Sequence, residues 1–379
     1  MKICFLADVN SIHIRRWSKY FVDAGNEVDI ISYSPGELEN VKVHQIKRLN
    51  SSRKIFDMIL FPIGILFNIL QINFLMRKIR PDILHAHYVT DNGFNGALTS
   101  FHPLIVSAWG SDVLRDANES KILRYRVSYA LKKADKITTT AEFMGSYLTD
   151  EFNLPERKII RIPWGIDTDN FRCRDDENTK KLREHLKIHE DSPVVLSNRS
   201  MTPTYNINRI IEAIPHVIKI NPEAVFVIIK GYGTSDYEKE MKLKAKELGV
   251  IDNIRFISKN INSQEMASYL NIADMFISIT KTDQFASSIM EGMGCGVIPI
   301  VSNIDVYKQY LTDDINSLYV DPDDPVEIAE KINYCIEHPE IKEKFHRINR
   351  KIIEEEEDWN TNAQKMKNLY ENLFKEKFK

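Results

Sequence analysis

Two carboxylates eight residues apart, Asp283 and Glu291, mark the segment of this chain best suited to chemistry. Ahead of them runs Ala273-Asp274-Met275-Phe276-Ile277-Ser278-Ile279, an apolar stretch that reads as a buried strand. Beyond them runs a second apolar stretch, Val297-Ile298-Pro299-Ile300-Val301, with a short helix between. The acids therefore straddle a strand-to-helix turn. Such a turn exposes backbone N–H groups at a helix N-terminus, a ready place for an anion. Phe285, Ala286, Ser287 and Ser288 stand at that turn. Carboxylates repel phosphate, so their own partners would be neutral hydroxyls. A ligand with phosphates and many hydroxyls, a nucleotide sugar, meets both needs. On spacing alone, a solvated or capping role for the acids fits as well.

The segment resembles the donor-site signature of the family 4 retaining glycosyltransferases of GT-B fold. That signature is a Glu, seven residues, and a second Glu before Ala-Met-Ala-Cys-Gly. Here the first acid is Asp283, and Gly292-Met293-Gly294-Cys295-Gly296 follows Glu291. The Asp form is similar to a subgroup that builds cell-surface polysaccharides and glycolipids. The resemblance implies that Glu291 holds ribose hydroxyls and Asp283 sugar hydroxyls. It implies transfer with retention, no metal and no cofactor beyond a UDP- or GDP-linked co-substrate. Asp321-Pro322-Asp323 reads as a turn rather than a metal signature.

Further matches extend the resemblance. Ser197-Asn198-Arg199 ends a strand where the family has Gly-Arg, and implies that Arg199 meets the diphosphate. The family's Lys five residues on is here Thr204, followed by Tyr205-Asn206, with Arg209, Lys230 and Lys281 as candidate replacements. Gly231-Tyr232-Gly233 is similar to the turn under the nucleotide, and backbone near Ile257 and Ser258 to the base reader. On the acceptor side the candidates are His13, His87, Trp109 and Asp112, Trp109 standing where the family has His. Asn10 and Ser11 replace a Gly-Gly pair and are expected to offer N–H groups to phosphate. His85 and His87 flank Ala86 and are expected on opposite faces of their strand, with His87 toward the cleft. A structural role for each histidine, and a core role for Trp109, stay open.

These residues need a frame. Short apolar strands alternate with helical stretches from Lys2 to Pro163, and the pattern restarts at Val194. That alternation argues for parallel sheets with crossover helices. The expectation is an α/β protein of two tandem Rossmann-like domains facing a cleft. Residues 1–170 form an acceptor-side domain, 171–189 a linker and 190–358 a donor-binding domain. An amphipathic helix over residues 359–379, by resemblance, crosses back to the first domain. In such folds ligands bind beyond the carboxyl ends of the strands.

With 51 Lys and Arg against 54 Asp and Glu, the net charge of −3 does not suggest a nucleic-acid binder. Cys4, Cys173, Cys295 and Cys335 are scattered, without zinc or redox spacing. The run Ile55 to Met76 is strongly apolar, but Asp57, Pro62, Gly64, Asn68, Gln71 and Asn73 interrupt it and argue against a spanning helix. Across residues 42–80, Lys42, Lys47, Arg48, Arg53, Lys54, Arg77, Lys78 and Arg80 face the single acid Asp57. The run fits an interfacial helix on anionic lipid or a core helix. A cytoplasmic protein, touching the inner face of the membrane through residues 47–80, is the expectation. The partners expected are a nucleotide sugar and a saccharide or lipid-linked glycan. A non-catalytic nucleotide-sugar or glycan binder and a sugar-nucleotide epimerase or phosphorylase share the pattern.

Overall fold

The computed structural model describes residues 1–48, 54–281, 283 and 286–377, with side chains from residue 63 onward in the helix Lys54–Ile79. The chain forms two compact units: Met1–Trp164 with Asn360–Lys379, and Gly165–Trp359.

Unit 1 holds β1 Lys2–Leu6, β2 Glu27–Ser32, β3 Lys42–Gln45, β4 Ile83–His87, β5 Leu104–Ala108, β6 Lys136–Thr139 and β7 Ile159–Arg161. They pair in parallel in the order β3-β2-β1-β4-β5-β6-β7. β1, β4 and β5 are almost wholly buried, as strands covered by helices on both faces must be. Their sequences are accordingly mostly apolar, with His85, His87 and Ser107 as the buried polar exceptions. The helix Ile12–Asp23 covers one face with Ile14, Trp17, Ser18 and Phe21, a 3.6-residue stripe. Gly25, at φ +80°, turns the chain out of it.

Unit 2 repeats the plan with β8 Val194–Ser197, β9 Val225–Ile229, β10 Ile254–Ile257, β11 Met275–Ser278, β12 Ile298–Ser302 and β13 Leu318–Val320. Their order is β10-β9-β8-β11-β12-β13, again all parallel. The strand order reverses once in each sheet, between β1 and β4 and between β8 and β11. Crevices for ligands open at such reversals.

The helix Trp359–Glu376 packs on unit 1, as the resemblance implied. It buries Met366, Leu369, Tyr370 and Leu373. The Tyr370 ring stacks on Phe21 with centroids 4.8 Å apart, and its hydroxyl bonds His85 Nδ1. An aromatic pair of this kind adds about 1 kcal/mol beyond area burial.

The stretch 171–189, expected as a linker, lies inside unit 2. Asp176 caps the helix Glu177–His185, and Phe171, Leu186 and Ile188 join the unit's core. Its many charges face outward and hid a sparse apolar face.

Candidate functional site

In unit 2 the segments that follow β8 and β11 gather around one cation. β8 ends at Ser197, and Arg199 follows two residues later, only 5% exposed. Its Nη2 lies 2.9 Å from Asp283 Oδ2, and its Nη1 donates to Ser288 Oγ at 2.9 Å. The Tyr205 ring lies under the guanidinium, 4.3 Å from its carbon. A cation over a half-buried ring gains about 1 kcal/mol. Arg199 is thus held in place without ligand.

Asp283 is gripped from a second side. Tyr307, fully buried after β12, donates its hydroxyl to Asp283 Oδ2 at 2.8 Å. Burial pushes the Tyr307 hydroxyl pKa far up, and the nearby carboxylate adds to the rise, so the phenol stays a donor. Asp is one methylene shorter than Glu, and two partners fix its reach.

The helix Ser287–Gly294 begins beside this pair, with Ala286 as its extended N-cap. No acidic side chain occupies its first turn, which leaves the positive end of its dipole near Arg199 and Ser288. Glu291 lies three residues beyond Ser288 on the same helix face, half-buried. Arg199, Asp283, Ser288 and Glu291 are therefore gathered at one strand-to-helix turn. Phe285 lies outside the described residues.

The neighbouring loops interlock through two glycines. Gly231 has φ +54°, and a Cβ on Gly233 would overlap the Met201 carbonyl oxygen. The turn after β9 thereby packs on the residues that follow Arg199, and Met201 N–H donates to Lys230 O at 2.8 Å. Ile257 O accepts the Lys230 N–H at 2.9 Å, and Ser258 Oγ bonds Glu238. All three candidate replacements for the missing Lys meet carboxylates: Lys230 with Glu238, Arg209 with Glu212, Lys281 with Asp323. Thr204 O accepts from Thr280. What stands beside Arg199 at this point of the chain is the Tyr205 ring.

Unit 1 has a cavity of about 310 Å³ at its own sheet reversal, past the ends of β1, β4 and β5. Asp8, Ser11, Arg48, His87, Asp91 and Trp109 line it with Tyr33 and Tyr88. Asp91 is clamped between Arg48 at 3.1 Å and Arg126 at 2.8 Å. His87 presents a buried Nε2 with no partner among the described residues. Burial lowers its pKa to about 3, with His13 adding a little, so the ring is a neutral imidazole at pH 7. His13 stacks on Trp164 at 3.7 Å and meets Trp109 edge-on at 5.7 Å. Its pKa falls to about 4, mainly through burial.

Three expectations are corrected here. His85 and His87 share one face of β4, their rings stacked 4.0 Å apart, because residues two apart in a strand point the same way. Asp112 is wholly buried and accepts the N–H groups of Val89, Trp109 and Gly110, which leaves it a loop anchor rather than a sugar contact. Those bonds lower its pKa less than burial raises it, to about 6. The N–H groups of Asn10 and Ser11 already bond Asp8, through its side chain and its carbonyl, so neither is open to phosphate.

Tyr307 escaped the reading of the sequence, and so did the stacking of Tyr205 on Arg199. Tyr307 lies 24 residues from the acid it serves, at the start of the short 3-10 turn Tyr307–Gln309. We expect Tyr307→Phe to keep the fold and nucleoside diphosphate affinity while turnover falls roughly tenfold, about 1.4 kcal/mol for one lost hydrogen bond to a charge. Isothermal titration beside steady-state rates checks this. Equal loss of affinity and turnover would assign Tyr307 to packing alone.

Residues 178–352 match the family model described as glycosyl transferases group 1, and residues 2–141 match glycosyl transferase 4-like. Together the two models span most of the chain and make it a glycosyltransferase of group 1 type. This glycosyltransferase is 21% identical over 384 residues to an uncharacterized glycosyltransferase of Methanocaldococcus jannaschii, covering 95% of this chain and 93% of that one. It is 22% identical over 215 residues to a GDP-mannose-dependent monoacylated alpha-(1-6)-phosphatidylinositol monomannoside mannosyltransferase of Corynebacterium glutamicum. That match spans 55% of each protein, little more than half of either. Among solved structures, a glycosyltransferase from Rickettsia africae superposes with a TM-score of 0.81 at 20% identity, covering 98% of both chains. HepE of Anabaena in complex with UDP also gives 0.81, at 17% identity, covering 98% of this chain and 100% of that one. At these identities the likeness establishes the fold, GT-B.

Proposed function

We propose that this glycosyltransferase moves a sugar from a UDP- or GDP-linked donor to a hydroxyl of a saccharide or lipid-linked glycan, with retention. The donor goes to unit 2 and the acceptor to unit 1. The observation that carries the reading is Arg199, a buried guanidinium held between Asp283 and Ser288 at a helix N-terminus. A diphosphate is the ligand that such a cation and such backbone N–H groups complement. Glu291 grasps ribose hydroxyls and Asp283 sugar hydroxyls. The relatives add support: one is named for GDP-mannose, and another was solved with UDP.

In the reaction the bond from the anomeric carbon to phosphate oxygen breaks while the acceptor oxygen bonds that carbon on the same face. The acceptor proton passes to the departing phosphate. Negative charge builds on that phosphate, and Arg199 and the helix N-terminus are already in place to meet it. No metal ion enters this scheme. In unit 1 the neutral His87 Nε2 and the Trp109 face suit a sugar's hydroxyls and ring.

Incubation of the purified protein with single nucleotide sugars tests the proposal. Slow release of free nucleoside diphosphate is expected from one of them. A changed sugar still attached to its nucleotide would make the protein an epimerase. Thermal stabilisation without turnover would make it a binder, since ligand binding to the native state alone raises stability.

A further inference from the structure

The helix Lys54–Ile79 is apolar on more than its inner side. Ile72, Met76 and Ile79 are buried in the core of unit 1, with Ile65 and Leu75 packed beside them. The outer face carries Ile63, Leu66, Leu70 and Phe74, exposed by 52, 57, 60 and 68%. A helix on the surface of a water-soluble domain turns polar residues outward. Here the outward stripe is spaced three, four and four residues, so its side chains form one continuous patch rather than scattered exposures. The stripe runs into Arg77 and Lys78, both exposed. At 100° per residue all six positions fall within roughly 120° of the helix circumference.

The charge around the patch names its partner. Lys42, Lys47 and Arg80 are exposed as well, and residues 42–80 hold eight cations and one acid. A second copy of this chain would bring the same positive charge to the contact. A surface with an apolar interior and negative headgroups would not. Among the described residues, no helix is long and apolar enough to cross a membrane.

We propose that this face of the helix lies on an anionic lipid bilayer. Ile63, Leu66, Leu70 and Phe74 sink to the acyl boundary, and Arg77 and Lys78 meet headgroup phosphates. The contact is also wired to the acceptor side. Gln71 bonds both the N–H and the carbonyl of Lys47, at 3.1 and 2.9 Å. The next residue, Arg48, lines the cavity of unit 1. A glycan presented at the bilayer would thus meet the unit that takes the acceptor. The lipid contact stands without the transferase reading; choosing a lipid-carried acceptor rests on it.

Flotation of the full chain with vesicles is the test. Wild type is expected to float with phosphatidylcholine vesicles that contain phosphatidylglycerol, and far less with phosphatidylcholine alone. The triple variant L66D/L70D/F74D is expected to stay behind while melting as wild type does and hydrolysing donor at the same rate. Arg77→Gln with Lys78→Gln is expected to weaken partitioning roughly tenfold or more. Wild type left at the bottom with both vesicle types, or variants that float as well as wild type, would overturn the proposal. So would a dimer in sedimentation that the same three Asp substitutions dissolve, because a second copy would then cover the face. Flotation without turnover on any nucleotide sugar would remove the transferase reading and leave the bilayer contact standing.

Discussion

Glu291→Gln is expected to cut kcat/KM for the nucleotide sugar by roughly ten- to a hundredfold with the fold intact. A carboxylate that accepts two ribose hydroxyls makes charge-assisted bonds, each about 1.5–3 kcal/mol when removed from a closed site. Gln keeps the shape but replaces one acceptor with a donor. Glu291 is half-buried on an eight-residue helix, so the change strains no core packing. The loss should appear with the free nucleoside diphosphate as well, because the ribose belongs to donor and product alike. Titration of wild type and variant with nucleoside diphosphate, beside donor turnover, reads both. Unchanged turnover would end the assignment of Glu291 to the ribose.

Arg199→Ala should act differently. The charge that Arg199 meets grows as the phosphate departs, so the substitution lowers kcat more than it lowers donor affinity. Loss of one positioned donor to a developing anion costs about a hundred- to a thousandfold in rate. The substitution also leaves Asp283, with a side chain only 11% exposed, facing Tyr307 without its cation. Removing one partner of a buried pair destabilises by about 3–5 kcal/mol, so melting must be followed with the kinetics. Arg199→Lys separates the two effects. It keeps the charge but gives up the fork that reaches Asp283 and Ser288 together. We expect it to melt near wild type and to recover only part of the rate. A variant that binds donor poorly yet turns over normally once saturated would assign Arg199 to ground-state binding.

The sheets were legible because buried parallel strands are largely apolar. β8 to β12 can be read almost residue by residue from their Val and Ile runs, and β3 and β13, at the sheet edges, cannot. β3 reads Lys-Val-His-Gln and buries none of its residues fully, so no apolar run announces it. The strand-to-helix turn of Asp283, Ser288 and Glu291 was legible because its parts lie within nine residues. Arg199 came from the resemblance of Ser197-Asn198-Arg199 to the family's Gly-Arg at the end of a strand. Tyr307 comes from a distant part of the chain and leaves no local trace, and the stacking of Tyr205 on Arg199, close in sequence, has no pattern of its own. Asp112, Asn10 and Ser11 failed for one shared reason. A polar residue after a strand looks the same whether it waits for a ligand or ties its own turn, and only the hydrogen-bond partners tell them apart.

The helix that carries Tyr370 belongs to unit 1 although all of unit 2 lies between it and Trp164 in the chain. During synthesis the first sheet must therefore wait. Phe21 and His85 stay uncovered while 195 residues of the second unit emerge and close on themselves. A nascent chain stalled after unit 2 would carry a finished second unit beside an unfinished first one, open to chaperones and proteases.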